Sequence, residues 1–217
     1  MSTPRRKFKR PSGKNRDASL FIIASEGKET EKIYIEALEE LIASPRLHIV
    51  FHKKKDSSKS SPRQTLQTIK EVSKEFQLNS NDQLWILIDT DRWEVKELST
   101  VASESRKSNI HLAISNPCFE LWCILHLKKI SEYSPEEIEK IKTNPRVDSK
   151  KYLEKELSNL LKGAKKTSAK IGDLVIHYLT AIDNAIEIDI QPDSRFPISP
   201  GTRVYKLLIE IQRKLGS

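Results

Sequence analysis

Five apolar residues, Leu20-Phe21-Ile22-Ile23-Ala24, run without a break into Ser25, a carboxylate at Glu26 and a glycine at Gly27. A helical period starts at once, with Glu31, Ile33, Tyr34, Ala37, Leu38 and Leu41. An unbroken apolar run of this length reads as a strand buried on both faces, here feeding a helix with Glu26 at the turn. A second run, Leu84-Trp85-Ile86-Leu87-Ile88, ends in Asp89-Thr90-Asp91. In open α/β sheets, ligands gather beyond the carboxyl ends of parallel strands. If these two strands are neighbours, Glu26, Asp89 and Asp91 converge on one edge.

The rest of the chain fits such a sheet. Helix one is predicted over about 29–43, closed by Ser44-Pro45, and Leu47–Phe51 reads as strand two. Pro62 fits the first turn of helix two, whose inner face holds Leu66, Ile69, Val72 and Phe76. Helix three is expected over about 94–107 and strand four over Ile110–Ser115. Asn116-Pro117 then suits an N-cap and first helical position for an apolar helix, Cys118–Leu127. The βαβαβαβα order predicts an α/β fold, a parallel sheet of about four strands with helices on both faces. After Lys128 the pattern turns helical: Glu136–Lys142, Asp148–Leu161, Ile171–Ile188 and Thr202–Leu215, with Gln191–Gly201 as a proline-rich connection. The expected organisation is a tail over 1–17, an α/β domain over 18–128, a helical appendage over 129–200, and a last helix over 201–217 that returns to the core.

Charge is unevenly placed. The net charge is +8, but Arg5, Arg6, Lys7, Lys9, Arg10, Lys14 and Arg16 carry seven positive charges, leaving +1 for the remainder. Such a tail is expected to be disordered. It is either a phosphate-contacting arm, with Arg5 and Arg6 as candidates, or a solvated extension. The same two readings apply to the loop that holds Lys53, Lys54 and Lys55. Cys118 and Cys123 lack metal or redox spacing and are expected to be reduced core thiols. No secretory h-region follows the tail and no apolar run exceeds strand length, so a soluble cytoplasmic protein without membrane contact is expected. With six glycines and no Walker-type loop, ATP hydrolysis by this chain is not expected.

Glu26, Asp89 and Asp91 form a plausible divalent-metal site, since Mg²⁺ and Mn²⁺ favour hard oxygen ligands. Glu26 could share the metal or act as general acid or base. Each carboxylate also has a purely structural reading, because acids near helix N-termini are favoured by the dipole. Glu120, within an apolar helix, needs a partner if buried and could support the metal ligands from behind. His126 reads as a core histidine bonded to backbone. Lys150, Lys151, Lys165, Lys166 and Lys170 form either a basic wall near the site or solvated helix faces. Arg203 could approach a phosphate at a helix N-terminus.

Ile22-Ile-Ala-Ser-Glu26-Gly27 followed by Ile88-Asp89-x-Asp91 resembles the Toprim domain of topoisomerases, bacterial primases and OLD-group nucleases. More closely, Glu26-Gly27-x-x-Thr30-Glu31-x-x-Tyr34, Asp89-x-Asp91 and Ser115-Asn-Pro-Cys-Phe-Glu-Leu-Trp122 resemble the RloB family. That family is encoded in bacterial restriction and abortive-infection loci and includes relatives of AbiL-type systems. The resemblance covers about 19–127. It implies a Toprim- or Rossmann-like sheet, with Glu26 as general acid/base or metal ligand. It also implies that Asp89 and Asp91 hold Mg²⁺ or Mn²⁺ and that Glu31 serves a second metal. Neither a nucleophilic-tyrosine domain nor a primase zinc ribbon is visible, so the resemblance favours a stand-alone nuclease acting on DNA or RNA, tRNA included. It also makes a separate ATPase partner plausible. The rival readings are a non-catalytic nucleic-acid-binding or regulatory subunit and a nucleotide-binding module.

Overall fold

The computed structural model describes residues 18–27, 29–52, 61–161 and 167–216. Arg5, Arg6, the rest of the basic tail, Lys53–Lys55, Lys165 and Lys166 lie outside the described residues.

Strands β1 (Ser19–Ser25), β2 (Leu47–His52), β3 (Gln83–Asp89) and β4 (Ile110–Asn116) form a parallel sheet. A short β7 (Gly201–Thr202) adds to its edge, and the order is β2-β1-β3-β4-β7. Central β1 is buried along its whole length, which explains its unbroken apolar sequence. Its side chains alternate between two cores. Leu20, Ile22 and Ala24, with Ile86 and Ile88, pack under α2 (Pro62–Ser73) and α3 (Val95–Lys107). Phe21, Ile23, Trp85 and Leu87 face α1 (Thr30–Ile42), α4 (Phe119–Ile124) and α9 (Val204–Gly216). That second core is continuous with α5 (Pro135–Thr143), α6 (Tyr152–Leu160), α7 (Thr167–Asp173) and α8 (Tyr178–Ile188), through Ile141, Leu153, Leu157, Ile171, Ala181 and Ala185. Among the described residues, no helix is long and apolar enough to cross a membrane.

Several expectations are corrected. The sheet gains a fifth, antiparallel strand, because Gly201 and Thr202 pair with Asn116 and Ser115 before α9 begins. Asn116 does not cap a helix. It ends β4, while α4 starts two residues past Pro117, with Cys118 at its N-cap, and stops at Ile124. The expected helix over Asp148–Leu161 begins only at Tyr152. Before it, Arg146–Val147 (β5) and Lys150–Lys151 (β6) form a hairpin that turns through Asp148 in the left-handed region, at φ 59°. The helix over Ile171–Ile188 is interrupted by a 3-10 turn at Leu174–His177.

Arg203 binds no phosphate site. It is buried, and its guanidinium grips Asp189 through Nε–H at 3.0 Å and Nη2–H at 3.2 Å. Both cysteines are buried and unpaired with each other, as expected. His126 is also a core residue, bonded through Nδ1 to the Trp122 carbonyl at 2.9 Å and through Nε2 to the Tyr34 hydroxyl at 3.0 Å. Burial lowers its pKa to about 4, so it is a neutral imidazole.

Candidate acidic site at the carboxyl edge of the sheet

β1 and β3 are adjacent, with Ser25 level with Leu87. The Glu26 N–H extends that ladder one step further, onto the Leu87 carbonyl at 3.2 Å. Glu26 and Asp89 therefore leave the same edge from neighbouring strands. The chain after Asp89 is strapped to the end of β4. Thr90 N–H donates to the carbonyls of Ser115 and Pro117, and Asp91 N–H donates to that of Pro117, at 3.0–3.1 Å. Asn116 completes the strap: its Oδ1 accepts from the Thr90 hydroxyl at 2.8 Å, and its Nδ2 donates to the Pro197 carbonyl at 3.0 Å. Its side chain is thus spent on positioning the aspartate loop.

Glu31 joins from the first turn of α1 and is buried. A methyl group at position 27 would overlap the Glu31 carboxylate, so any larger residue there would have to shift it from its present place. Backbone groups at Glu31 and Gly27 favour the charged form of that carboxyl, against its burial. Glu120, in the first turn of α4, lies close enough to raise the pKa of both Glu31 and Asp89.

The electrostatics follow from crowding and burial. Burial raises Glu26 to about 7, against the Trp93 hydrogen bond and the Arg92 charge, which lower it. Burial, followed by Glu120 and Glu26, raises Glu31 to about 7. Asp89 is pushed well above the ordinary carboxyl range by burial and then by Glu31, Glu120, Glu26 and Asp91. The same field, after burial, holds the Cys118 thiol protonated.

Trp93 and Asn144 are partners of the two outer carboxylates that sequence reasoning missed, whereas Lys151 is one of the lysines expected either to wall the site or to lie on solvated faces. Trp93 Nε1–H donates to both Glu26 oxygens, at 2.8 and 2.9 Å. Asp91 Oδ2 accepts from the Lys151 ammonium and from Asn144 Nδ2 at 3.3 Å. Trp93 follows the aspartate pair by two residues, and that proximity is the one sequence signal for it. Asn144 and Lys151 arrive from α5 and the hairpin, 53 and 60 residues downstream, with no local signal. Of the other lysines, Lys150 pairs with Glu154 and Lys170 donates to the Leu161 carbonyl.

The donor set is all carboxylate oxygen, held at the cost of mutual repulsion, which fits a hard divalent cation such as Mg²⁺ or Mn²⁺. Among the described residues, no three His, Cys, Asp or Glu side chains stand gathered as a ready ligand set. Glu26 is turned onto Trp93 and Asp91 onto Lys151.

A pH dependence follows. A carboxyl raised by folding favours the protonated native state. Its contribution to stability is therefore lost as pH rises from its ordinary value of 4.5 through about 7. In EDTA, Glu31→Gln is expected to match wild-type stability near pH 4.5 and to exceed it by on the order of 2 kcal/mol above neutrality. His126 acts in the opposite sense, losing stability as pH falls from 6.5 toward 4, but it is common to both proteins and cancels. Paired thermal melts across this range check the difference, and a gain independent of pH would contradict it.

Fold and site together define an α/β protein with an acidic cluster at the carboxyl edge of its parallel strands. The chain belongs to the RloB-like protein family, whose model matches residues 21–211. Comparison with curated proteins and with solved structures gives no match.

Proposed function

We propose that this protein is a divalent-metal-dependent nuclease of the Toprim type that hydrolyses phosphodiester bonds in DNA or RNA. The observation that carries this reading is the placement of Glu26 and Asp89 at the ends of adjacent strands, with Glu31 in the first turn of α1, each with a raised pKa. Structural acids are normally exposed or paired with cations; clustered acids that raise one another are more characteristic of functional sites.

Asp89 and Asp91 would hold Mg²⁺ or Mn²⁺, with Glu31 and Glu120 behind them. The bound ion would supply charge neutralisation and Lewis-acid stabilisation of the phosphodiester. Glu26, with a pKa of about 7, can accept or release a proton at its carboxylate near neutral pH, as general base or acid. Trp93 fixes the orientation of that carboxylate through both of its oxygens. Arg92, exposed beside Asp91, is placed to meet an incoming phosphate. A role in bacterial anti-phage defence, and an ATPase partner, rest on the family resemblance alone.

The test is incubation of the purified protein with plasmid DNA and, separately, total tRNA, in Mn²⁺, Mg²⁺ or EDTA. Cutting in metal and none in EDTA is expected. Tight polymer binding with no cutting in any metal would overturn the reading in favour of a non-catalytic nucleic-acid-binding subunit.

A further inference from the structure

β4 has an outer edge that is open over most of its length. Among the described residues, β7 pairs with it only at Ser115 and Asn116. The direction of the backbone groups is fixed at that end. The Ser115 carbonyl turns inward and accepts from Thr90 N–H, whereas the Ile114 carbonyl turns outward and accepts from Arg203 N–H. Successive residues of a strand address opposite edges, so Leu112 and Ile110 also point their N–H and C=O groups outward. The chain that follows β7 does not meet them, because it leaves the sheet into α9 at Val204. An open edge of this kind is a template for another chain.

The edge is the floor of a groove of about 800 Å³. One wall is the C-terminal half of α3, with Arg106 and Lys107, and the other is the segment that holds Asp193 and Arg195. That second wall is pinned in place. Arg203 donates to the carbonyls of Gln191 and Ser194, and Lys206 donates to that of Pro192. Ile110 is buried, Leu112 is half-buried, and Arg106, Lys107 and Arg195 are exposed. Among the described residues, no ion pair engages these three cations. Outside the basic tail the chain carries a net charge of only +1, so three cations against Asp193 make the groove locally positive.

We propose that this groove docks an extended acidic peptide segment of a partner protein, added to the sheet as a strand beside Ile110–Leu112. The floor offers donors and acceptors in alternation, and a peptide backbone answers both. A phosphate chain only accepts, and would leave the carbonyls of Ile110 and Leu112 without a donor. The walls offer cations, so the complementary side chains are aspartate and glutamate. The groove lies at the amino end of β4, where Ile110 is level with Leu84, at the far end of the sheet from Glu26 and Asp89. It is therefore independent of the nuclease reading.

The experiment is fluorescence anisotropy of the full chain with three short labelled peptides. One alternates glutamate and valine, the second is the same peptide N-methylated throughout, and the third alternates lysine and valine. The first is expected to bind about tenfold more tightly than either of the others. Arg106→Glu with Arg195→Glu is expected to weaken it by about tenfold, the scale of reversing two exposed charges at a rim. Lys96→Glu, at the other end of α3, makes a charge change of the same kind away from the groove and should stay within about twofold of wild type. Thermal melts check that the double variant is folded. If the N-methylated peptide binds as well as its parent, charge alone attracts it and strand addition is overturned. Failure of the acidic peptide to bind, or equal binding by the double variant, also overturns the proposal. A labelled single-stranded oligonucleotide is the last arm. If it binds through Arg106 and Arg195 while the acidic peptide does not, the groove is a phosphate surface instead.

Discussion

Glu26→Gln is expected to lower metal-dependent cleavage by about 10²- to 10⁴-fold, the usual range for loss of a positioned acid or base, while leaving nucleic-acid binding within about twofold of wild type. The substitution is nearly isosteric. The side-chain carbonyl of the introduced amide can still accept from Trp93 Nε1, which in the wild type bonds to both carboxylate oxygens. It also removes a carboxyl that burial has pushed up to about 7, so the fold should be no less stable at neutral pH and somewhat more stable above it. This opposition makes the result interpretable, since a variant that melts higher and cuts far less has lost chemistry rather than structure. Asp89→Asn should behave alike in activity and, on the proposed reading of Asp89 as a ligand, should also lose calorimetric Mn²⁺ binding. Cleavage within threefold of wild type in both variants would remove these carboxylates from the reaction.

The parts of this architecture that were legible in advance are those specified by neighbouring residues. Leu20–Ala24 could be assigned as a central strand because burial on both faces leaves no polar alternation, and Pro62 marked the start of α2, where Ser61 accepts the Gln64 N–H. The acids after β1 and β3 were visible for the same reason, since each ends an apolar run. What escaped depends on contacts made across the fold. β7 is two residues long and exists because Thr202 and Gly201 meet the end of β4. Asn116 has the chemistry of a helix cap, but the aspartate loop and Pro197 claim both ends of its amide. Lys151 is one of several lysines readable as a basic wall or as solvated faces, and only the hairpin singles it out for Asp91. The carboxylates Glu26, Glu31 and Asp89 are local in sequence and could be named; Trp93 and Asn144, which bond to the outer pair, carry no such signal.

Arg203→Met is expected to destabilise the protein by about 3–5 kcal/mol, the usual consequence of stranding one partner of a buried ion pair. The side chains of Arg203 and Asp189 are 6% and 1% exposed, and the two meet through both carboxylate oxygens. Burial alone would raise Asp189, yet the bonds from Arg203 and from the Tyr205 hydroxyl hold its carboxyl below the ordinary value. Without the guanidinium, a buried carboxylate must take up a proton or remain unpaired. The carbonyls of Gln191 and Ser194 lose their donor as well. At about 2–4 °C per kcal/mol for a chain of this size, the melting midpoint should fall by roughly 10 °C. The damage should also reach the acidic cluster. The segment that Arg203 anchors leads to Pro197, whose carbonyl holds Asn116, and Asn116 in turn holds Thr90 between the two aspartates. Removing both charges, in Arg203→Met with Asp189→Leu, should recover part of the lost stability, because an apolar pair strands no charge. A midpoint within 2 °C of wild type for Arg203→Met, a shift worth about 1 kcal/mol or less, would mean that water replaces the guanidinium without loss. The 191–201 segment would then be held by its other contacts, and the aspartate loop would not depend on this ion pair.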